Sequence, residues 1–171
     1  METRLLLLAA FAALFIGSGA LAQIIPDEFD FLEEWEILSE EVRLGEVELT
    51  ENGLPPGYGT EVSRPTEQGL FKVSVGPRRD PAPFNKIHTW LVQIETPDGK
   101  PVTGAELKFY GGMPLHNHGF PTEPRFTGEV KPGIYALEGI KFSMTGWWTL
   151  AMGIITDDRK DRVSFNLIVE P

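Results

Sequence analysis

The chain has 171 residues, with 25 Asp and Glu against 15 Lys and Arg, no Cys, 18 Gly and 14 Pro, and 42% of its residues hydrophobic. These figures exclude a collagen-like chain and a disulfide-knotted scaffold, and the acidic balance excludes nucleic acid as a partner, because phosphate binding is supplied by a surplus of Lys and Arg. One globular domain with appendages is expected.

Residues 1–22 read as a secretory signal peptide. Arg4 precedes an apolar stretch over residues 5–16, and Ala20-Leu21-Ala22 supplies the small-residue cleavage pattern before Gln23. Twelve apolar residues fall short of the roughly 20 that span a bilayer, and no later run approaches that length. The expectation is a periplasmic protein with no membrane span after processing. The absence of Cys excludes a lipoprotein anchor and the usual thiolate zinc sites.

Residues 23–60 form an acidic arm. Eleven acids and one base, Arg43, lie between residues 23 and 51, whereas residues 52–171 carry 13 acids and 13 bases, so the chain's negative surplus sits on the arm. Asp30 and Glu33 are placed to open a helix, and Phe31, Trp35, Leu38 and Val42 fall on one stripe of it. That stripe either packs on the protein's own domain or docks on a basic envelope or redox protein. Pro55-Pro56-Gly57-Tyr58-Gly59 continues neither helix nor central strand and marks a linker.

The domain over residues 61–171 has a hydrophobic period of two, with turn residues every ten or so positions, which predicts an all-β, Ig-like antiparallel sandwich of about seven strands. The inward sets are Phe71, Val73 and Val75; Trp90, Val92 and Ile94; Ala105, Leu107 and Phe109; Ile134, Ala136, Ile140 and Phe142; Trp148, Leu150, Met152 and Ile154; and Val163, Phe165, Leu167 and Val169. A further strand is expected over residues 126–130. Asp98-Gly99 and the run Asp157 to Asp161 read as turns, and Glu138-Gly139 as a bend or bulge.

The unusual segment is Met113-Pro114-Leu115-His116-Asn117-His118-Gly119-Phe120-Pro121-Thr122-Glu123-Pro124, expected to be a loop because its three prolines cannot donate to a ladder. Extended backbone at His116 and His118 would point both imidazoles the same way. With the thioethers of Met113 and Met144 nearby, the donor set would be sulfur plus nitrogen, which favours copper, above all Cu(I). Imidazole ligates only when neutral, so metal occupancy is expected to fall as the pH drops below about 6.5. Each residue also has a plainer use: Met144 as a core residue at the end of its strand, Met113 as packing, His116 and His118 as loop braces. His88 reads either as a satisfied core histidine or as a third imidazole ligand.

The runs Asp98-Gly99-Lys100-Pro101-Val102-Thr103-Gly104-Ala105, Met113-Pro114 with His116-Asn117-His118-Gly119, Gly133-Ile134-Tyr135 and Phe142-Ser143-Met144-Thr145-Gly146-Trp147-Trp148 together resemble the FixH/YtkA-like family. That resemblance, spanning about residues 71–169, implies an Ig-like sandwich in the envelope, an association with copper handling or oxidase assembly, and Met113, His116, His118 and Met144 as metal ligands. Two readings follow: a periplasmic copper-binding or copper-delivery protein, and a metal-free envelope adaptor that holds a redox partner. The chain carries none of the H-E-x-x-H, P-loop, G-x-S-x-G or Cys-nucleophile patterns, and no catalytic residues are expected.

Overall fold

The computed structural model describes residues 40–51 and 53–170. The signal peptide and the arm's Phe31, Trp35 and Leu38 lie outside the described residues; of the expected helix, residues 40–43 are helical, with Arg43 paired to Glu40. No helix among the described residues is long and apolar enough to cross a membrane.

Two antiparallel sheets form the sandwich. The first contains β1 (Ser63–Pro65), β2 (Lys72–Pro77), β3 (His88–Glu95), β6 (Arg125–Lys131) and β7 (Ile134–Ile140), in the order β1-β2-β3-β7-β6. The second contains β4 (Glu106–Met113), β5 (His118–Gly119), β8 (Gly146–Ile155) and β9 (Lys160–Val169), in the order β5-β4-β8-β9. Apart from the three-residue β1 and the two-residue β5, these are the seven strands expected from the period-two pattern.

The inner faces meet as the alternation dictates. Val73, Val75, Trp90, Val92 and Ile94 pack against Trp148, Leu150, Met152, Ile154, Val163 and Phe165 in one core. One inward set departs from the alternation. On β7 the core residues are Tyr135 and Leu137, not Ile134 and Ala136, although Ile140 and Phe142 are core as expected. Gly139, at φ +90°, carries the reason: the β3–β7 register slips between His88 and Thr89 there, so the face pointing inward changes.

Both faces of β8 are covered, as its nearly unbroken apolar run requires. On its outer face Trp147 and Thr149 donate to the side-chain oxygen of Asn166, the Asn166 amide donates to the Gly59 carbonyl, and Tyr58 sets its ring edge-on to Trp147 at 5.6 Å. The linker thus lies against the second sheet, which nothing in its Pro-Gly composition announces. The buried Tyr135 hydroxyl donates to the Val102 carbonyl and accepts from the Ala105 N–H, tying the β3–β4 connection to β7; burial pushes this phenol up from its ordinary value.

Two hairpin turns use the same device. Thr96 and Thr156 each donate to the carboxylate two residues on, Asp98 and Asp158, and each hydroxyl also accepts a backbone N–H across the turn. The Lys100 ammonium, 2.7 Å away, together with the Thr96 hydroxyl, holds Asp98 at about 2. A carboxyl depressed in the folded state contributes stability that is present above its unfolded value near 4 and lost as pH falls through 2. Protection of the Gly99 and Lys100 amides, measured relative to an unstructured chain at the same pH, is therefore expected to fall between pH 4 and 2, with little change in global stability, because the pair is exposed. Unchanged protection of this turn at pH 2 would contradict it.

Candidate metal centre

The segment read as a loop is a tight reversal. β4 ends at Met113, Pro114 opens a single 3-10 turn over Pro114–His116, and Asn117 takes a left-handed conformation at φ +48°, donating its N–H to the Pro114 carbonyl. His118 and Gly119 then pair back onto β4, with His118 opposite Met113 and Gly119 opposite Gly112. Gly112 is needed for this approach, since a Cβ there would collide with the His118 carbonyl. The expectation that His116 and His118 share one face of extended backbone is corrected: Asn117 turns the chain between them, yet the turn still brings the two rings to 5.9 Å.

Directly opposed residues of an antiparallel pair project their side chains to the same side, so the Met113 thioether and the His118 imidazole share a face. Met113 is buried at 1% exposure, and its methyl group reaches Gly146 at the start of β8. Met144 sits just before that strand, in the β7–β8 connection. It is 40% exposed and so is not the core residue its parity would make it; its carbonyl accepts the Trp148 indole N–H at 3.0 Å. His118 sets its ring edge-on to Trp148 at 6.0 Å and lies near both sulfurs. Trp148 thus holds the Met144 backbone, meets the His118 ring and shares the core with Met113, a role invisible in a sequence where it counts simply as core. His116 is exposed, at the end of the 3-10 turn.

Hydrogen bonds sort the histidines. Nδ1 of His118 lies 2.8 Å from the Gly119 carbonyl, which can only accept, so Nδ1 carries the proton and Nε2 keeps its lone pair for a metal. His88 has no nitrogen to spare: Nδ1 donates to the Lys86 carbonyl at 2.8 Å, and Nε2 accepts from the Trp90 indole at 2.9 Å. Its ring also packs on Phe142 at 5.5 Å. This is a satisfied histidine packed against the edge of the core, not a third imidazole ligand.

Among the described residues, no three His, Cys, Asp or Glu side chains gather into a metal cluster. A site here is built on neutral thioether and imidazole donors alone. Beside it, Phe109, Tyr110, Phe120 and Pro124 line a cleft of about 350 Å³ that reaches His118 and Asn117.

Residues 79–153 match the family model described as YtkA-like. This stretch is YtkA-like. The match bears out the resemblance read from the sequence and is narrower than the span the motifs suggested. The YtkA-like stretch contains all four candidate ligands, and the acidic arm lies outside it. Comparison with curated proteins gives no match. Solved structures similar to the chain include a DUF4426 family protein from Pseudomonas aeruginosa PAO1 (19% identity, 65% of this chain and 98% of that one, TM-score 0.47). Others are the Lin-41 filamin domain (23% identity, 47% and 74% coverage, TM-score 0.34) and the ZirS C-terminal domain (12% identity, 92% and 85% coverage, TM-score 0.34). These likenesses are too distant to carry site residues or function across.

Proposed function

We infer that the protein binds and delivers copper as Cu(I), with Met113, His118 and Met144 as principal ligands and His116 as the outer imidazole through which the ion enters or leaves. The observation that carries this reading is the register pair of Met113 and His118, with the His118 proton committed to the Gly119 carbonyl. Two thioethers and an imidazole form a soft donor set, which prefers Cu(I) to harder divalent ions. They also bring no negative charge. The cost of burying an ion grows steeply with its charge, so a neutral shell suits a monovalent cation better than Zn(II) or Cu(II).

The residues present therefore fit a copper ion, whose chemistry here would be reversible coordination rather than catalysis. The amino-terminal sequence supports a cleaved signal peptide, a periplasmic location and an acidic arm that engages a basic envelope or redox protein, and the Met and His donors support a role in copper homeostasis. Competition with a chromophoric Cu(I) chelator tests the metal reading. One equivalent bound more tightly than micromolar, with much weaker Zn(II) binding, is expected. An absence of Cu(I) binding overturns it and leaves a metal-free adaptor.

A further inference from the structure

The β2–β3 connection, residues 78–87, presents cations and apolar side chains together. Its backbone is pinned at three points: the Arg78 N–H donates to the Thr89 carbonyl, the Asn85 N–H to the Phe142 carbonyl, and the His88 ring to the Lys86 carbonyl. Above this base lies a cleft of about 450 Å³ lined by Arg78, Arg79, Pro83, Ile87, His88 and Thr89. Ile87 is 67% exposed and Phe84 38% exposed, on a connection where Asp80 is the single acid against Arg78, Arg79 and Lys86. None of these three cations has an ion pair among the described residues, whereas Arg43, Lys100, Arg159 and Arg162 do.

We propose that this cleft docks an acidic peptide segment bearing an apolar side chain. The Arg78 and Arg79 guanidinium groups take its carboxylates, and Ile87 with Pro83 takes the apolar group. Guanidinium presents paired N–H donors that match a carboxylate, which makes Arg the better residue for such recognition. Pro81 and Pro83 have no backbone N–H, so the segment cannot add as a full β-strand and recognition falls on side chains. The concave shape suits a chain segment better than a flat bilayer. His88, with both nitrogens engaged, is a fixed wall of the cleft.

The location gives the cleft a purpose. His88 packs on Phe142 at 5.5 Å, Phe142 on Trp148 at 5.3 Å, and Trp148 on His118 at 6.0 Å, so a continuous run of rings links the wall of the cleft to His118. That the docked partner receives copper rests on the reading above; the docking itself does not.

The test uses the metal-free chain from Gln23 onward, titrated with the synthetic peptide EELEF and its glutamine counterpart QQLQF, and followed by amide NMR. Shifts at Arg79, Ile87 and Thr89 are expected with EELEF. Affinity should fall about tenfold or more for QQLQF and for Arg78→Gln with Arg79→Gln, and should weaken with added salt. Both arginines are exposed, so unchanged amide signals elsewhere will show that the variant is folded. Equal affinity for the two peptides, equal affinity of the variant, or no shifts at millimolar EELEF overturns the proposal. So does binding to phosphatidylglycerol vesicles without any response to the peptide, which would make the loop a membrane contact. Each outcome is independent of whether copper binds.

Discussion

Replacing Met113 with Leu and His118 with Ala in one chain is expected to weaken Cu(I) binding by about 100-fold or more, because loss of even an outer partner of a metal ligand costs 10–100-fold and here two inner donors go. Met113→Leu nearly conserves volume in a buried position, and His118 is exposed, so the fold should survive both changes. His116→Ala alone is expected to do less, since the His116 ring stands off at the end of the 3-10 turn, 5.9 Å from that of His118. His88→Ala should leave affinity unchanged while costing stability through the lost Trp90 and Phe142 contacts. Chelator competition on the wild type and these three variants checks this. Full affinity in the Met113 and His118 double variant would remove the register pair from the account.

Asp161→Ala is expected to be the most damaging surface-distant change to the fold, at about 3 kcal/mol, read as a fall in melting temperature of about 10 °C. Asp161 is 1% exposed, and its carboxylate accepts from the backbone N–H groups of Gln68, Leu70 and Arg162. Those contacts fasten the β1–β2 turn to the start of β9, alongside the Glu67 to Arg162 ion pair. Alanine leaves three part-buried N–H groups without their acceptor, and leaving a donor unpaired away from water costs more than a made bond contributes. Asp161→Asn, which keeps one acceptor oxygen, should fall between. A shift of less than about 2 °C for the alanine variant would show that water replaces the carboxylate without penalty.

These two sites illustrate how much of the molecule was written in the order of its residues. Strand positions and most inward faces followed from alternation, because burying one side of a sheet imposes a period of two. The inversion at Gly139 was not legible: a bulge was visible in Glu138-Gly139, but which side of it kept the core phase depends on the register with β3. Asp161 reads from the sequence as the last acid of a turn; only the return of the β1–β2 connection, far away in the sequence, makes it an acceptor for part-buried N–H groups.

At the candidate centre the residue types pointed to soft-metal chemistry, while their arrangement did not follow from the spacing. Extended geometry was expected between His116 and His118, whereas the left-handed Asn117 and the close approach at Gly112 set His118 opposite Met113 instead. Met144 was indistinguishable from a core residue until the strand was seen to stop at Ile140. The aromatic wall of Trp148, Phe120 and Phe142 came entirely from sheet packing, with Phe120 reaching Trp148 at 4.8 Å.

The most direct measurement is X-ray absorption at the copper edge on protein loaded with one equivalent of Cu(I), in the wild type and in Met113→Leu and Met144→Leu. A first shell containing thioether sulfur together with imidazole nitrogen is predicted, with the sulfur signal reduced in each single variant. A shell of nitrogen and oxygen alone, or sulfur scattering that neither substitution alters, would contradict the account.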